Sequence, residues 1–226
     1  MCLVVLSLGE HPDYPLILAA NRDEFYARPT RDAGWWPDRP DVVGGRDLQA
    51  GGTWLGITRS RRFAALTNYR ESARPAARAR HSRGLLVNDW LAGDDEPMPA
   101  ARGLADAGVD YSGFNLLLGR PGALVYLSNR GADPRPVTVG VHGLSNHLLD
   151  TDWPKVRAGR ERLVAALADD AVDIERLFGL LGGTQAVDGA LPDGLAARLA
   201  DALDHRCRHR CWRAYRPGAP AYRPAP

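Results

Sequence analysis

The sequence predicts an α+β domain built on antiparallel β-sheet. Three observations carry this. Short apolar runs rich in β-formers recur up to Leu144, and turn-forming residues separate them at hairpin spacing. Helical periodicity dominates only after Asp152, so strands come first and helices later, the order of an α+β fold and not of a doubly wound one.

Leu3–Leu8 and Pro15–Ala20 are two short apolar runs around a turn at Glu10–Tyr14. They predict a hairpin of strands buried on both faces. Asn21-Arg22-Asp23-Glu24 ends the second strand abruptly with four polar residues. Arg28–Ala50, rich in Pro and Gly and carrying Trp35 and Trp36, reads as a loop. Thr53–Thr58 and Arg62–Thr67 form a second hairpin around Arg59-Ser60-Arg61. Glu71–Arg83 is polar and Arg-rich, an expected exposed loop, and Gly84–Ala92 suits a short helix. Phe114–Leu118 and Ala123–Ser128 pair around Gly119-Arg120-Pro121-Gly122, and Val137–Leu144 is a further strand. Trp153–Leu167 has helical spacing, with Asp152 as expected N-cap and Pro154 in the first turn. Val172–Leu181 and Leu195–Leu203 complete the expected helices.

Of the 226 residues, 45% are hydrophobic and 25% charged, ordinary values for a globular protein with its own core. The net charge of +2 recommends neither nucleic acid nor an anionic membrane surface as partner. Lys155 is the one lysine among 29 basic residues, which reads as base composition of the gene. Three cysteines make no disulfide framework. No run approaches the ~20 apolar residues of a membrane span. The apolar start lacks a basic leader and runs into Gly9-Glu10-His11-Pro12, so a cytoplasmic setting is expected. One domain is expected over 1–204. His205–Pro226 hold six arginines, four prolines, two cysteines and no acid, and are expected to lack fixed structure.

Cys2 is the first residue with chemistry to offer. Aminopeptidases remove an initiator methionine when the next residue is small. Cys2 would then combine a nucleophile with its own base, since an α-amino group titrates near ~7.7–8.0. The position equally suits a small residue opening a strand. Arg22 and Asp23, at the end of the neighbouring strand, fall near the chain start. Asp23 is placed to hold the α-ammonium and Arg22 to favour the thiolate, although a solvated strand end would look the same. Asn68, Asn115, Asn129 and Asn146 each adjoin an apolar stretch, where an amide can serve an oxyanion or simply form a turn. Gly51-Gly52-Thr53-Trp54-Leu55-Gly56 lacks the Lys-Ser/Thr of a phosphate loop and precedes a strand. Its glycines fit a close backbone approach near a pocket. His205, Cys207, His209 and Cys211 alternate at one-residue spacing, which is not that of a zinc site, so no metal is expected.

These pieces together resemble the NRDE family, named for the tetrapeptide at Asn21-Arg22-Asp23-Glu24, whose eukaryotic members are the transport and Golgi organization 2 proteins. Cys2, Arg28-Pro29-Thr30, Gly45-Arg46-Asp47, Gly51–Gly56 and Ala65–Arg70 carry the resemblance through the first third of the chain. Gly113–Leu117, Leu127–Arg130, Gly143–Asn146, Leu149–Thr151 and Trp153-Pro154-Lys155 extend it to about residue 157. It implies an N-terminal nucleophile hydrolase-like fold, a four-layer α-β-β-α sandwich of two antiparallel sheets, similar to that of bile-salt hydrolases and penicillin V acylases. It implies Cys2, Arg22, Asp23 and Asn146 as catalytic residues. Asn21, Glu24, Asn68 and Trp54 are expected to contact a small-molecule amide or thioester, with no cofactor. The alternative it leaves open is a non-catalytic binding role for haem or an acyl lipid, since eukaryotic members are associated with secretion, lipid handling and haem trafficking. The family's usual closing segment has no counterpart after Leu203, where the Arg- and Pro-rich tail reads as an out-of-frame translation.

Overall fold

The computed structural model describes residues 2–25, 27–71, 81–169 and 171–181. The helix expected over 195–203, the tail at 205–226 and most of the loop expected over 71–83 lie outside them.

The chain opens with the predicted hairpin, β1 (Leu3–Leu8) and β2 (Leu16–Asn21), followed by β3 (Thr30–Trp36) and β4 (Arg39–Asp47). Next come β5 (Leu55–Thr58), β6 (Phe63–Asn68), α1 (Gly84–Ala92) and α2 (Pro97–Asp106). The rest comprises β7 (Phe114–Arg120), β8 (Ala123–Ser128), β9 (Arg135–Pro136), β10 (Gly140–Leu144), α3 (Pro154–Ala166) and α4 (Ile174–Leu181). Strands β3 to β9 form an antiparallel meander in sequence order, and β10-β1-β2 form a small second sheet with β1 central.

Alternation along β1 decides the layering. Val4, Leu6 and Leu8 point at the large sheet and meet Phe63, Ala65, Leu117 and Tyr126. Val5 points the other way with Ile17 and Ala19, against Leu163, Leu177 and Leu180 of α3 and α4. On the far face of the large sheet, Ala64, Leu66, Leu116 and Leu118 pack on Leu86, Val87 and Trp90 of α1 and Ala101 of α2. The result is helix, sheet, sheet, helix: the four-layer α+β sandwich that the resemblance implied. Burial on both faces explains why β1, β7 and β8 read as continuous apolar runs.

Several expectations need correction. Arg28–Ala50 is not a loop, because it contains β3 and β4. Most of β3 is exposed at a sheet edge, so no apolar alternation marks it, and charged residues there suit an unpaired edge. Its pairing comes from β4, itself held by β5 through Val42, Val43 and Gly44. The strand expected over Val137–Leu144 is shorter, beginning only at Gly140, whose φ is +136°, so that 137–139 lie outside it. Trp153, not Asp152, is the N-cap of α3, and Asp152 instead accepts a hydrogen bond from Arg157 at 2.8 Å. Over α2 the sequence suggests nothing: two prolines and a glycine interrupt it and one residue is fully buried.

Candidate active site

The start of β1 is fastened from three sides. The Leu3 N–H donates to Asn21 Oδ1 at 2.8 Å, across the β1–β2 pair. The Cys2 carbonyl accepts from Ser145 Oγ at 2.6 Å and from Lys155 Nζ at 3.2 Å. Ser145 directly follows β10, the other neighbour of β1, and Lys155 lies in the first turn of α3. A buried amide supports this arrangement from below. Asn115 donates to the His147 carbonyl at 2.9 Å and to Thr67 Oγ1 at 3.2 Å, and accepts from the Tyr126 hydroxyl at 2.7 Å. Thr67 Oγ1 then donates to the Ser145 carbonyl at 2.6 Å.

Cys2 is 7% exposed and lines a cavity of about 210 Å³. Burial pushes its thiol above the ordinary value, while the chain's α-ammonium, Lys155 and Arg22 pull it back. The opposite wall is charged. Arg22 bonds Glu24 at 2.7 Å and lies 3.6 Å from Asp47, and Arg28 bonds Asp47 at 2.7 Å. Asp47 also accepts the backbone N–H groups of Gln49 and Ala50, each at 3.0 Å. Burial alone would raise its carboxyl, but the Arg28 bond and these two N–H groups outweigh burial and hold it below the ordinary value.

Close backbone contact sets the third wall. A Cβ on Gly52 would lie 2.5 Å from the Gly84 carbonyl carbon, so only glycine lets the β4–β5 loop reach the start of α1. That contact brings Ser82, Arg83 and Gly84 to the cavity beside Thr53 and Trp54. Arg83 donates to the Gly113 carbonyl at 3.0 Å, and burial lowers its guanidinium below the ordinary value.

Of the residues expected in the site, Cys2, Arg22, Asp23, Asn21, Glu24, Asn68 and Trp54 all line this one cavity. Asn146 stands outside the wall, its amide donating to the Asn68 carbonyl at 3.0 Å. Asn129 ties its own turn to Phe114 and Gly108. His142 pairs with Asp150 at 2.7 Å and His147 with Tyr69 at 3.0 Å, both away from the cavity. Among the described residues no group of three His, Cys, Asp or Glu is arranged to hold a metal ion. The residues that the sequence did not single out for the site are Arg28, Asp47, Arg83 and Lys155. Arg28, Asp47 and Lys155 do fall within the quoted motifs, whereas Arg83 carries no local signal.

The profile of the family described as Transport and Golgi organisation 2 matches residues 1–210. The chain is 37% identical to the mouse (Mus musculus) Transport and Golgi organization 2 homolog over 182 residues, 74% of this chain and 64% of that protein. It is 36% identical to the Bos taurus homolog over 212 residues, 85% of this chain and 75% of that one. The Drosophila melanogaster protein is 34% identical over 185 residues, 73% of this chain and 64% of its own. The chain thus spans just under two thirds of the mouse and fly relatives. Among solved structures it resembles the Caenorhabditis elegans ortholog of N-acylethanolamine-hydrolyzing acid amidase. The TM-score is 0.51 at 11% identity, covering 85% of this chain and 94% of that one, which is a likeness of fold.

Proposed function

Since the chain belongs to the Transport and Golgi organisation 2 family and has an N-terminal nucleophile hydrolase-like fold, we propose that it hydrolyses or transfers the acyl group of a small amide or thioester, with Cys2 as nucleophile. One observation carries the reading: Cys2 opens β1 at the wall of a cavity that it shares with Arg22 and Asp23.

Removal of Met1 frees the Cys2 α-amine, which takes the thiol proton directly or through water. Asp23 orients that amine, and Arg22 favours the thiolate. The thiolate attacks the carbonyl carbon, and the oxyanion takes a hydrogen bond from the Asn68 amide, which has no other hydrogen-bond partner among the described residues. Asn146 acts one step back by gripping the Asn68 carbonyl. Collapse of the intermediate returns the proton from the α-ammonium to the departing amine or thiol. Water or a second acceptor then releases the acyl group from Cys2. Asn21, Glu24 and Trp54 complete the substrate's surroundings.

The experiment is a screen of Met1-free protein against fluorogenic acyl amides and thioesters, beside the Cys2→Ala variant. Turnover that disappears with Cys2→Ala supports the reading. Turnover that survives in Cys2→Ala rejects it. Haemin or acyl-chain binding with no turnover of either substrate type also rejects it, in favour of a binding protein.

A further inference from the structure

Lys155 is the one lysine among 29 basic residues, and its position is costly. It follows Pro154 in the first turn of α3, where the positive end of the helix disfavours a cation. Its side chain runs inward. The ammonium donates to the Cys2 carbonyl at 3.2 Å and lies 5.6 Å from the centre of the Trp153 ring. Among the described residues, no carboxylate lies within salt-bridge distance of it. A side chain reaching solvent from this position would escape the burial, although any cation here still faces the positive helix end.

We propose that Lys155 is a positioning residue for Cys2: its ammonium grips the Cys2 carbonyl and keeps a positive charge beside the thiol, so the thiolate forms more readily than burial alone allows. The proposal rests on Cys2 being the reacting thiol. The proton balance is simple. The thiol proton goes to the α-amine, and Lys155 keeps its own. An α-amine acting as base must be uncharged when it receives that proton, so it cannot supply the charge beforehand.

The other charges that act on this pair come from several elements. They are the α-ammonium, Arg22 and Glu24 after β2, Arg83 before α1, and Arg70 after β6. Burial, with Arg70 acting in the same direction and Cys2 against it, lowers Lys155 to about 8. It therefore remains largely protonated at neutral pH.

The test is the pH profile of Cys2 alkylation by iodoacetamide, resolved by peptide mass spectrometry from Cys207 and Cys211. Lys155→Met should raise the Cys2 midpoint by roughly one unit and slow labelling at neutral pH about ten-fold. Lys155→Arg should restore most of that rate, because it restores the charge. An unchanged midpoint in a folded Lys155→Met variant overturns the proposal. A second measurement needs no substitution at Lys155. Nitrogen-15 labelling of lysine gives one side-chain resonance, whose titration should fall in Cys2→Ser by an amount comparable to the Cys2 shift, since coupling between two sites is reciprocal. A titration that does not move overturns the proposal equally. Neither readout requires turnover, so failure of the substrate screen and failure of this inference remain distinct.

Discussion

Replacing Asn115 with leucine tests how the site is held. Asn115 is fully buried, and its side chain makes hydrogen bonds to the His147 carbonyl, Thr67 Oγ1 and the Tyr126 hydroxyl. Leucine is of similar size, so little cavity forms and the loss is mainly one of hydrogen bonding. The His147 carbonyl loses its side-chain donor, and the Tyr126 hydroxyl loses its acceptor while still receiving the Leu149 N–H at 3.1 Å. A stranded buried polar group costs ~1–3 kcal/mol, which applies in full to the Tyr126 hydroxyl, while the partly buried His147 carbonyl adds less, so the loss should be about 2–3 kcal/mol. Urea unfolding followed by tryptophan fluorescence reads this as a lower midpoint at unchanged slope. The same variant loosens the 145–149 segment, whose Ser145 holds the Cys2 carbonyl, so alkylation of Cys2 should accelerate. A loss below about 1 kcal/mol, with Cys2 labelling unchanged, would refute the view that this amide supports the site.

Two further perturbations probe separate parts of the molecule. Gly52→Ala forces a Cβ to within 2.5 Å of the Gly84 backbone, and overpacking of this kind costs ~1–3 kcal/mol. It should lower the thermal midpoint by several degrees and alter Cys2 labelling, whereas a variant of wild-type stability would show that the loop can yield. The His142–Asp150 pair gives a pH signature. Its bond to Asp150 raises His142 above 6.5, so its contribution is complete below 6.5 and fades as pH rises through the folded-state value. Burial would raise Asp150, but the His142 and Gly143 bonds hold it below 3.8, so its contribution is lost as pH falls through that lower value. The stability gap between wild type and His142→Gln should therefore shrink from pH 6 to pH 9, and a gap that widens would contradict the pairing.

The fold was legible wherever burial covers both faces of an element. Leu3–Leu8 and Phe114–Leu118 announce themselves because burial on both faces makes nearly every side chain there apolar, Ser7 and Asn115 excepted. Gly84–Ala92 was found to the residue, with four of its nine side chains buried. Thr30–Asp47 was not, because half-exposed strands at an edge are stabilised by backbone pairing to β5, which side-chain type does not reveal. The site divides the same way. Arg22, Asp23 and Glu24 stood out as an abrupt polar end to an apolar strand. Asp47 sits in a quoted motif but reaches the cavity through sheet register, and Arg83 reaches it through the Gly52–Gly84 contact, a long-range arrangement with no local pattern of its own. Lys155 stood out only by composition, as the one lysine among 29 basic residues, and its place beside the Cys2 carbonyl comes from the packing of α3 on β1.

Cys2 bears the whole catalytic reading, and the most direct test is the mass of the mature N-terminus combined with brief, limiting alkylation at mildly acidic pH, where ordinary thiols react slowly. The expected result is that Met1 is absent and that Cys2 labels faster than Cys207 and Cys211. Retention of Met1, with Cys2 no more reactive than the other two thiols, would contradict the N-terminal nucleophile.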